Sequence, residues 1–252
     1  MIIDGDTHIT FTGEGIKVEE LLEMMDIAGV EKAIVWLQPP YFKELTEELN
    51  KYVYESAKRY PDKILGFGWL DPHLGIKRCK DLIKKFVYEY NFYGIKLNGA
   101  QNDFYIDDPN LSLPLIEEIA KTDKIIAFHI GADAYERTHP FRLRNVAKIF
   151  PELKILAVHM GGAGIPDLSN AMIEFSQECS NITLIGSAIS SKSILKAISV
   201  LGANRVCFGS DTPFELMYVE VAKYKALLSN VLSEEERSNI MGRNIAKLLN
   251  IS

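Results

Sequence analysis

Side chains that could bind a cation stand near the beginning of the chain, in the stretch MIIDGDTHIT. Asp4, Asp6 and His8 are two residues apart, and a β-strand would point all three to the same face. The apolar pair Ile2-Ile3 precedes them, and burying polar groups without partners costs roughly 1–3 kcal/mol each, and more for a charge. Either this strand end is solvated, or a positive charge lies beside Asp6 and His8. Asp4, one step deeper, is expected to be a hydrogen-bonded structural carboxylate.

Similar side chains close other apolar runs along the chain. His8, His129 and His159, three of the five histidines, each end such a run, and Asp211 ends the last one. In an open sheet these residues could be scattered, whereas the strands of a closed barrel bring their carboxyl ends to one mouth. Imidazole and carboxylate without a nearby thiolate are typical ligands of zinc, manganese or iron(II). A divalent cation would therefore explain why Asp6 and His8 share one face.

The elements that must position these residues alternate along the whole chain. The predicted strands are Ile2–His8, Lys32–Gln38, Ile64–Asp71, Gly94–Asn98, Lys124–Gly131, Lys154–Met160, Ile182–Gly186 and Arg205–Asp211. The predicted helices are Val18–Ala28, Lys43–Arg59, Ile76–Tyr90, Asn110–Lys121, Arg142–Phe150, Ile165–Glu178, Ser191–Leu201, Phe214–Leu228 and Ser233–Leu249, the last with a capping-box start at Ser233 and Glu236. Eight strand–helix units in 252 residues predict a (β/α)8 TIM barrel that occupies residues 1–252 as a single domain. An open doubly wound sheet is the alternative, weakened because no GxGxxG opens the first helix.

Composition excludes several classes of partner. Lys and Arg number 28 against 34 Asp and Glu, a net charge of −6, which argues against a general binder of nucleic acid or of acidic membranes. No apolar run approaches the roughly 20 residues of a membrane span, and no secretory signal is visible. The three cysteines are far apart and form no CxxC pair, as expected in a reducing cytoplasm. The chain is therefore expected to be cytoplasmic.

The strand-end motifs occur in the order found in a known family. MIIDGDTHI resembles the first-strand signature of the amidohydrolase superfamily, usually Asp-x-His-x-His. GIKLN, FHIGA, ILAVHMGGAG and CFGSDTPF resemble its fourth, fifth, sixth and eighth strand motifs. The set is most similar to the amidohydrolase-related branch that includes aminocarboxymuconate-semialdehyde decarboxylase and hydroxybenzoate decarboxylases. This resemblance implies a (β/α)8 barrel with one divalent metal at its mouth, and it allows a homodimer because barrels of this branch often pair.

The resemblance also implies roles for individual residues. His8, His129 and Asp211 would be metal ligands, and His159 would lie beside the metal and polarise the substrate or move a proton. Asp6 stands where the usual pattern has its first histidine, but some relatives place a carboxylate there, so Asp6 is expected to be a ligand as well. The carboxylate oxygen of Asp6 is a hard ligand, so manganese has to be considered beside zinc. Zinc is the first expectation and manganese the second.

Other residues at strand ends are candidates for contact with a substrate. Lys96 is expected to be structural or to pair with substrate, and the resemblance gives the carboxylated lysine that bridges two metals as an alternative. Asn98 ends the fourth predicted strand. Trp36, Trp69 and Tyr41 could form a flat aromatic wall, or could simply pack in the barrel.

Two reactions and one binding role are compatible with this set of residues. The first expectation is hydrolysis of a small amide, ester or lactone by a metal-activated water, with Asp211 as general base and His159 stabilising the oxyanion. The alternative is nonoxidative decarboxylation of a small aromatic or muconate-like acid, in which Asp211 or His159 delivers a proton as carbon dioxide leaves. The second alternative is a barrel that binds a metal or ligand without catalysis.

Overall fold

A computed structural model describes residues 1–13, 15–38, 43–131 and 133–251 of the chain. Eight parallel strands, β1 to β8, are hydrogen-bonded in sequential order. The strands are β1 Ile3–Ile9, β2 Lys32–Leu37, β3 Ile64–Trp69, β4 Gly94–Leu97, β5 Ile125–Gly131, β6 Ile155–Ala163, β7 Ile182–Gly186 and β8 Val206–Phe208. The predicted (β/α)8 barrel is confirmed. Tyr41, a candidate for the aromatic wall, lies outside the described residues.

Helices connect the strands and cover the outside of the barrel. They are α1 Val18–Ala28, α2 Thr46–Arg59, α3 Ile76–Lys84, α4 Leu113–Ala120, α5 Tyr135–Thr138, α6 Pro140–Ile149, α7 Pro166–Glu178, α8 Ser191–Leu201, α9 Met217–Ser229, α10 Glu234–Ser238 and α11 Asn244–Leu249. Short π-helical segments, Lys85–Glu89 and Asn239–Arg243, follow α3 and α10. The capping box at Ser233 is confirmed, because the Ser233 hydroxyl accepts from the Glu236 N–H at 3.3 Å and the Glu236 carboxylate accepts from the Ser233 N–H at 2.9 Å. Within the described part of the chain, no helix combines the length and apolar character needed to cross a bilayer.

The barrel closes where β1 meets the segment after β8. This junction is made by single hydrogen bonds: the Asp211 N–H donates to the Asp6 carbonyl at 2.9 Å, and the His8 N–H donates to the Thr212 carbonyl at 2.8 Å. We call the junction of β1 with residues 208–212 the seam. The seam places the ends of the first and last strands side by side, so residues distant in sequence meet at one rim of the barrel.

Strands β6 and β8 end at residues other than those predicted, and each has a residue of unusual backbone conformation near its carboxyl end. The predicted strand Arg205–Asp211 pairs only over Val206–Phe208, and Asp211, three residues further on, adopts a left-handed conformation with φ of 64°. In β6 the chain passes through His159, with φ of 64°, and continues to Ala163. Such conformations are unfavourable for residues other than glycine and concentrate at functional sites.

Candidate metal centre

Three polar side chains from separate strands converge at the mouth of the barrel. One ligand-type atom each from Asp6, His159 and Asp211 lies within 4.8 Å of the others. His8 joins them, because its Nε2 lies 3.3 Å from Asp6 Oδ1 and 3.4 Å from Asp211 Oδ1. The predicted convergence of β1, β6 and the end of β8 is therefore present in the structure.

The ring of His8 is fixed by its neighbours on β2. Its Nδ1 lies 2.7 Å from the Leu37 carbonyl, which can only accept, so Nδ1 carries the hydrogen and Nε2 has the lone pair. The Trp36 indole N–H lies 3.2 Å from the same Nε2. Burial and the charge of Lys96 alone would lower the pKa of His8, but the neighbouring carboxylates of Asp211 and Asp6 outweigh them and raise it. The two carboxylates thus favour positive charge at this point, whether it is a proton or a metal cation.

Asp6 is fully buried and its two oxygens have different surroundings. Oδ2 accepts a hydrogen bond of 2.5 Å from the Ser187 hydroxyl, whereas Oδ1 has no hydrogen-bond partner. The Lys96 ammonium lies 3.5 Å from Oδ1 and also lacks a hydrogen bond. Burial alone would raise the pKa of Asp6, but the positive charge of Lys96 and the neighbouring His8 ring hold it below its ordinary value.

These features fit a divalent cation among the carboxylates. Asp6 Oδ1 is an ionised, buried oxygen that lacks a hydrogen bond, and the Asp211 oxygen and the His8 nitrogen lie beside it. Leaving a buried charged group without such partners is costly. Two carboxylates with imidazole suit manganese, iron(II) or zinc, and nothing in the set favours a structural thiolate site.

His159 and His129 pack against each other on neighbouring strands, with ring centroids 4.7 Å apart. The Nδ1 of His159 is 3.1 Å from the Ser187 hydroxyl and 3.7 Å from Asp6 Oδ2. His129 Nε2 makes a hydrogen bond of 2.8 Å with Asp133 Oδ1 and is not among the atoms that converge with Asp6 and Asp211. Burial is the main reason that the pKa of His129 falls to about 4, which keeps the ring neutral. The role of His129 as a ligand stays a prediction.

A cavity of about 270 Å³ opens directly above this cluster. It is lined by His8, Asn98, Gln101, His129, His159, Asp211 and Phe214. Asn98 was predicted to contact substrate, and its Oδ1 accepts the N–H groups of Ala100 and Gln101 at 3.1 and 3.0 Å. Gln101 and Phe214 were missed by the sequence analysis because loop residues carry no periodic signal. Ser187 was missed although it directly follows the seventh strand, a position equivalent to the other site residues.

The other predicted substrate contacts lie beneath the cavity and do not line it. Lys96, Trp36 and Trp69 are each 0% exposed. The Lys96 ammonium lies 3.6 Å from the Trp36 ring centroid and 5.7 Å from that of Trp69. The Trp69 indole N–H donates to Asn102 Oδ1 at 3.0 Å. These side chains are buried beside the site without lining the cavity, and their role in substrate binding stays a prediction.

The fold and the position of the cluster define the class of protein. Residues 7–251 match the model of the family described as amidohydrolase. The chain therefore belongs to the amidohydrolase family and is an enzyme of the amidohydrolase superfamily, as its strand motifs suggested.

Within this superfamily, the chain resembles several decarboxylases. The chain is 26% identical to gamma-resorcylate decarboxylase of Rhizobium radiobacter over 77% of this chain and 76% of that protein. The fold is similar to that of 2,6-dihydroxybenzoate decarboxylase from Rhizobium, with a TM-score of 0.81, 20% identity and coverage of 99% and 98%. It is also similar to that of a dihydroxybenzoic acid decarboxylase from Polaromonas with bound manganese and 2-nitroresorcinol, with a TM-score of 0.78, 21% identity and coverage of 99% and 96%.

These findings overturn the first expectation for the reaction. Hydrolysis of an amide, ester or lactone was wrong, because the relatives that match are decarboxylases, the stated alternative. The strand motifs predicted a metal site, but the metal ligands do not determine which bond of a substrate is broken. The cytoplasmic location and the homodimer stay predictions.

Proposed function

We propose that this chain is a metal-dependent nonoxidative decarboxylase of a small aromatic carboxylic acid that carries a hydroxyl group beside the carboxylate. The observation that carries the proposal is the cluster of Asp6, His8 and Asp211 beside the cavity, with Asp6 Oδ1 left without a hydrogen bond. The decarboxylase relatives support it. A divalent metal held by Asp6, His8, His129 and Asp211 would bind the carboxylate and the adjacent oxygen of the substrate as a Lewis acid. Because a manganese-bound relative is known and two of the ligands are carboxylates, we propose manganese.

The cavity suits a small aromatic anion. Its volume of about 270 Å³ lies just below the usual range of ligand pockets, which favours a small substrate. The Phe214 ring is 51% exposed at the mouth and stands edge-on to His8 at 5.5 Å, so it can pack against an aromatic ring. The amides of Asn98 and Gln101 offer hydrogen bonds to ring hydroxyls. The ammonium of Lys96, buried beside the site, adds positive charge that favours an anion.

The chain's own residues would supply the proton. Asp211, at the cavity wall, transfers a proton taken up from solvent to the ring carbon that bears the carboxylate. The bond between that carbon and the carboxylate then breaks, its electron pair restores the aromatic ring, and carbon dioxide leaves. His159, oriented by Ser187, is placed to hold the neighbouring substrate oxygen. Each turnover consumes one proton, which Asp211 regains from solvent at the open mouth.

The test is a product assay on protein loaded with manganese. Released carbon dioxide and the decarboxylated phenol are measured for 2,6-dihydroxybenzoate and a panel of other hydroxybenzoates. We expect turnover of at least one of them, lost on chelation and restored by manganese. Asp211→Asn should lower turnover by about 100-fold or more, because general acid catalysis contributes that much. Asp107→Asn, a carboxyl group paired with Arg142 away from the cavity, serves as the control that should retain turnover. Absence of carbon dioxide from the whole panel would refute the proposal.

A further inference from the structure

Asp4 joins the two sides of the seam from below the metal centre. Its side chain is 0% exposed, and its Oδ1 accepts two backbone hydrogen bonds. One comes from the Asp6 N–H at 3.0 Å and the other from the Ser210 N–H at 2.8 Å. The two donors belong to, or directly precede, the candidate ligands Asp6 and Asp211. We propose that Asp4 is a positioning residue that sets the separation of these two carboxylates, an inference that rests on the metal-binding part of the proposed function.

The backbone around Asp4 needs such a support. The register of β1 against β2 shifts between Asp4 and Thr7, so this part of β1 bulges out of regular pairing. On its other side, β1 meets residues 208–212 through isolated hydrogen bonds instead of a continuous ladder. A bulge leaves backbone groups without their usual partners and redirects the side chains that follow. The Asp4 carboxylate supplies the acceptor that the ladder lacks at this point.

The seam is also tight enough for one short side chain to span it. A Cβ atom on Gly5 would lie 2.9 Å from the Phe208 carbonyl, so the absence of a side chain there lets β1 approach β8 closely. Asp211 follows Ser210 directly and has a left-handed conformation, so a displacement of Ser210 would move the Asp211 carboxylate. Asp4 therefore controls both carboxylates through a single oxygen atom.

Packing alone does not account for an acid at this position. Asp4 Oδ2 is buried and has no hydrogen bond, which makes the side chain costly to bury. An aliphatic side chain would fill similar space without that cost. The gain that offsets it is the pair of hydrogen bonds at Oδ1. The acceptor oxygen, and not the volume of the side chain, is thus what the site requires.

The experiment distinguishes the effect of the hydrogen-bond acceptor of Asp4 from the effect of the volume of its side chain. Manganese affinity is measured by electron paramagnetic resonance for wild type, Asp4→Asn, Asp4→Leu and Asp4→Ala in the full chain. Asn keeps the acceptor, Leu keeps only volume, and Ala keeps neither. We expect Asn to stay near wild type, and Leu and Ala to bind manganese about 10-fold to 100-fold more weakly, the range found when supports of metal ligands are removed. Asp107→Leu, a change of the same kind outside the seam, should leave manganese affinity unchanged.

The outcomes distinguish this inference from the proposed function. Wild-type affinity in Asp4→Leu, or an equal loss in Asp107→Leu, would overturn the positioning role while leaving a metal enzyme intact. If wild type itself binds no manganese, the proposed function fails, and crystal structures of metal-free wild type and Asp4→Leu decide the positioning role separately. We expect the Asp6 and Asp211 carboxylates to move apart in the variant, and an unchanged separation would overturn the inference.

Discussion

Lys96→Met tests whether the buried lysine is a counter-ion of Asp6 or a ligand of the metal. The ammonium lies 3.5 Å from Asp6 Oδ1, and both side chains are fully buried. At an effective dielectric constant of about 20, Coulomb's law gives an attraction of about 5 kcal/mol for that distance. Removing one partner of a buried pair typically costs about 3–5 kcal/mol. We expect Lys96→Met to lower the free energy of unfolding of the metal-free protein by an amount in that range.

The same substitution should strengthen metal binding. In the metal-loaded protein a cation beside Asp6 repels Lys96, so Lys96→Met lowers the free energy of unfolding by less than it does in the metal-free protein. The difference between these two decreases equals the gain in the free energy of manganese binding. If it exceeds 1.4 kcal/mol, affinity rises about tenfold or more. Burial lowers the pKa of Lys96, and Asp6 and Asp211 oppose this shift. The shift does not change the direction of the expected effect on manganese affinity.

Urea unfolding with and without manganese, together with the dissociation constant of manganese, measures both quantities. Lys63→Met is the matched control, because Lys63 pairs with Asp26 at 3.0 Å on the surface. An exposed pair contributes under about 1 kcal/mol, so the control should be nearly neutral. Weaker manganese binding in Lys96→Met would refute the counter-ion role and assign Lys96 to the metal.

Four further predictions concern His159, the three cysteines and Gly131. His159→Asn should lower turnover about 100-fold or more while retaining manganese, and a matching loss of metal would make it a ligand. Burial raises the pKa of Cys79 and Cys207 to about 12 and raises that of Cys179 as well, so Ellman's reagent at pH 8 should label these thiols only after unfolding. Above pH 9 the unfolded thiols ionise while the folded ones do not, so the free energy of unfolding should fall as pH rises. Gly131→Ala, which places Cβ 2.0 Å from a backbone oxygen, should destabilise the fold by about 1–3 kcal/mol or more in urea titrations.

The barrel and the convergence of polar strand ends could be predicted because both follow from local patterns. Apolar runs alternate with amphipathic stretches, and parallel closure brings every strand's carboxyl end to one rim. That rule predicts that Asp6, His8 and Asp211 lie together at this rim, and in the structure they do. It did not predict that β8 pairs for only three residues, or that Asp211 adopts a left-handed conformation at the seam.

Contacts beyond the strand ends could not be predicted for a different reason. The hydrogen bond from Ser187 to Asp6 joins residues 181 positions apart and depends on the register of β7. The interaction of Asp133 with His129 depends on a loop conformation. Lys96 follows the alternation of β4, but its position beneath the cavity depends on how the Trp36 side chain packs. Such contacts are tertiary and leave no periodic trace in the sequence.

The error about the reaction has the same physical origin. A cation held by carboxylates and imidazole can activate water or bind a substrate carboxylate, and the ligand set is the same in both cases. Which reaction occurs depends on what the cavity above the metal admits. In this chain the exposed Phe214 ring and the amides of Asn98 and Gln101 line a small cavity, and the ammonium of Lys96 is buried nearby. Under the proposed function these residues, mostly on loops or buried behind the lining, select the substrate, so motifs at strand ends predict a metal site and leave the chemistry open.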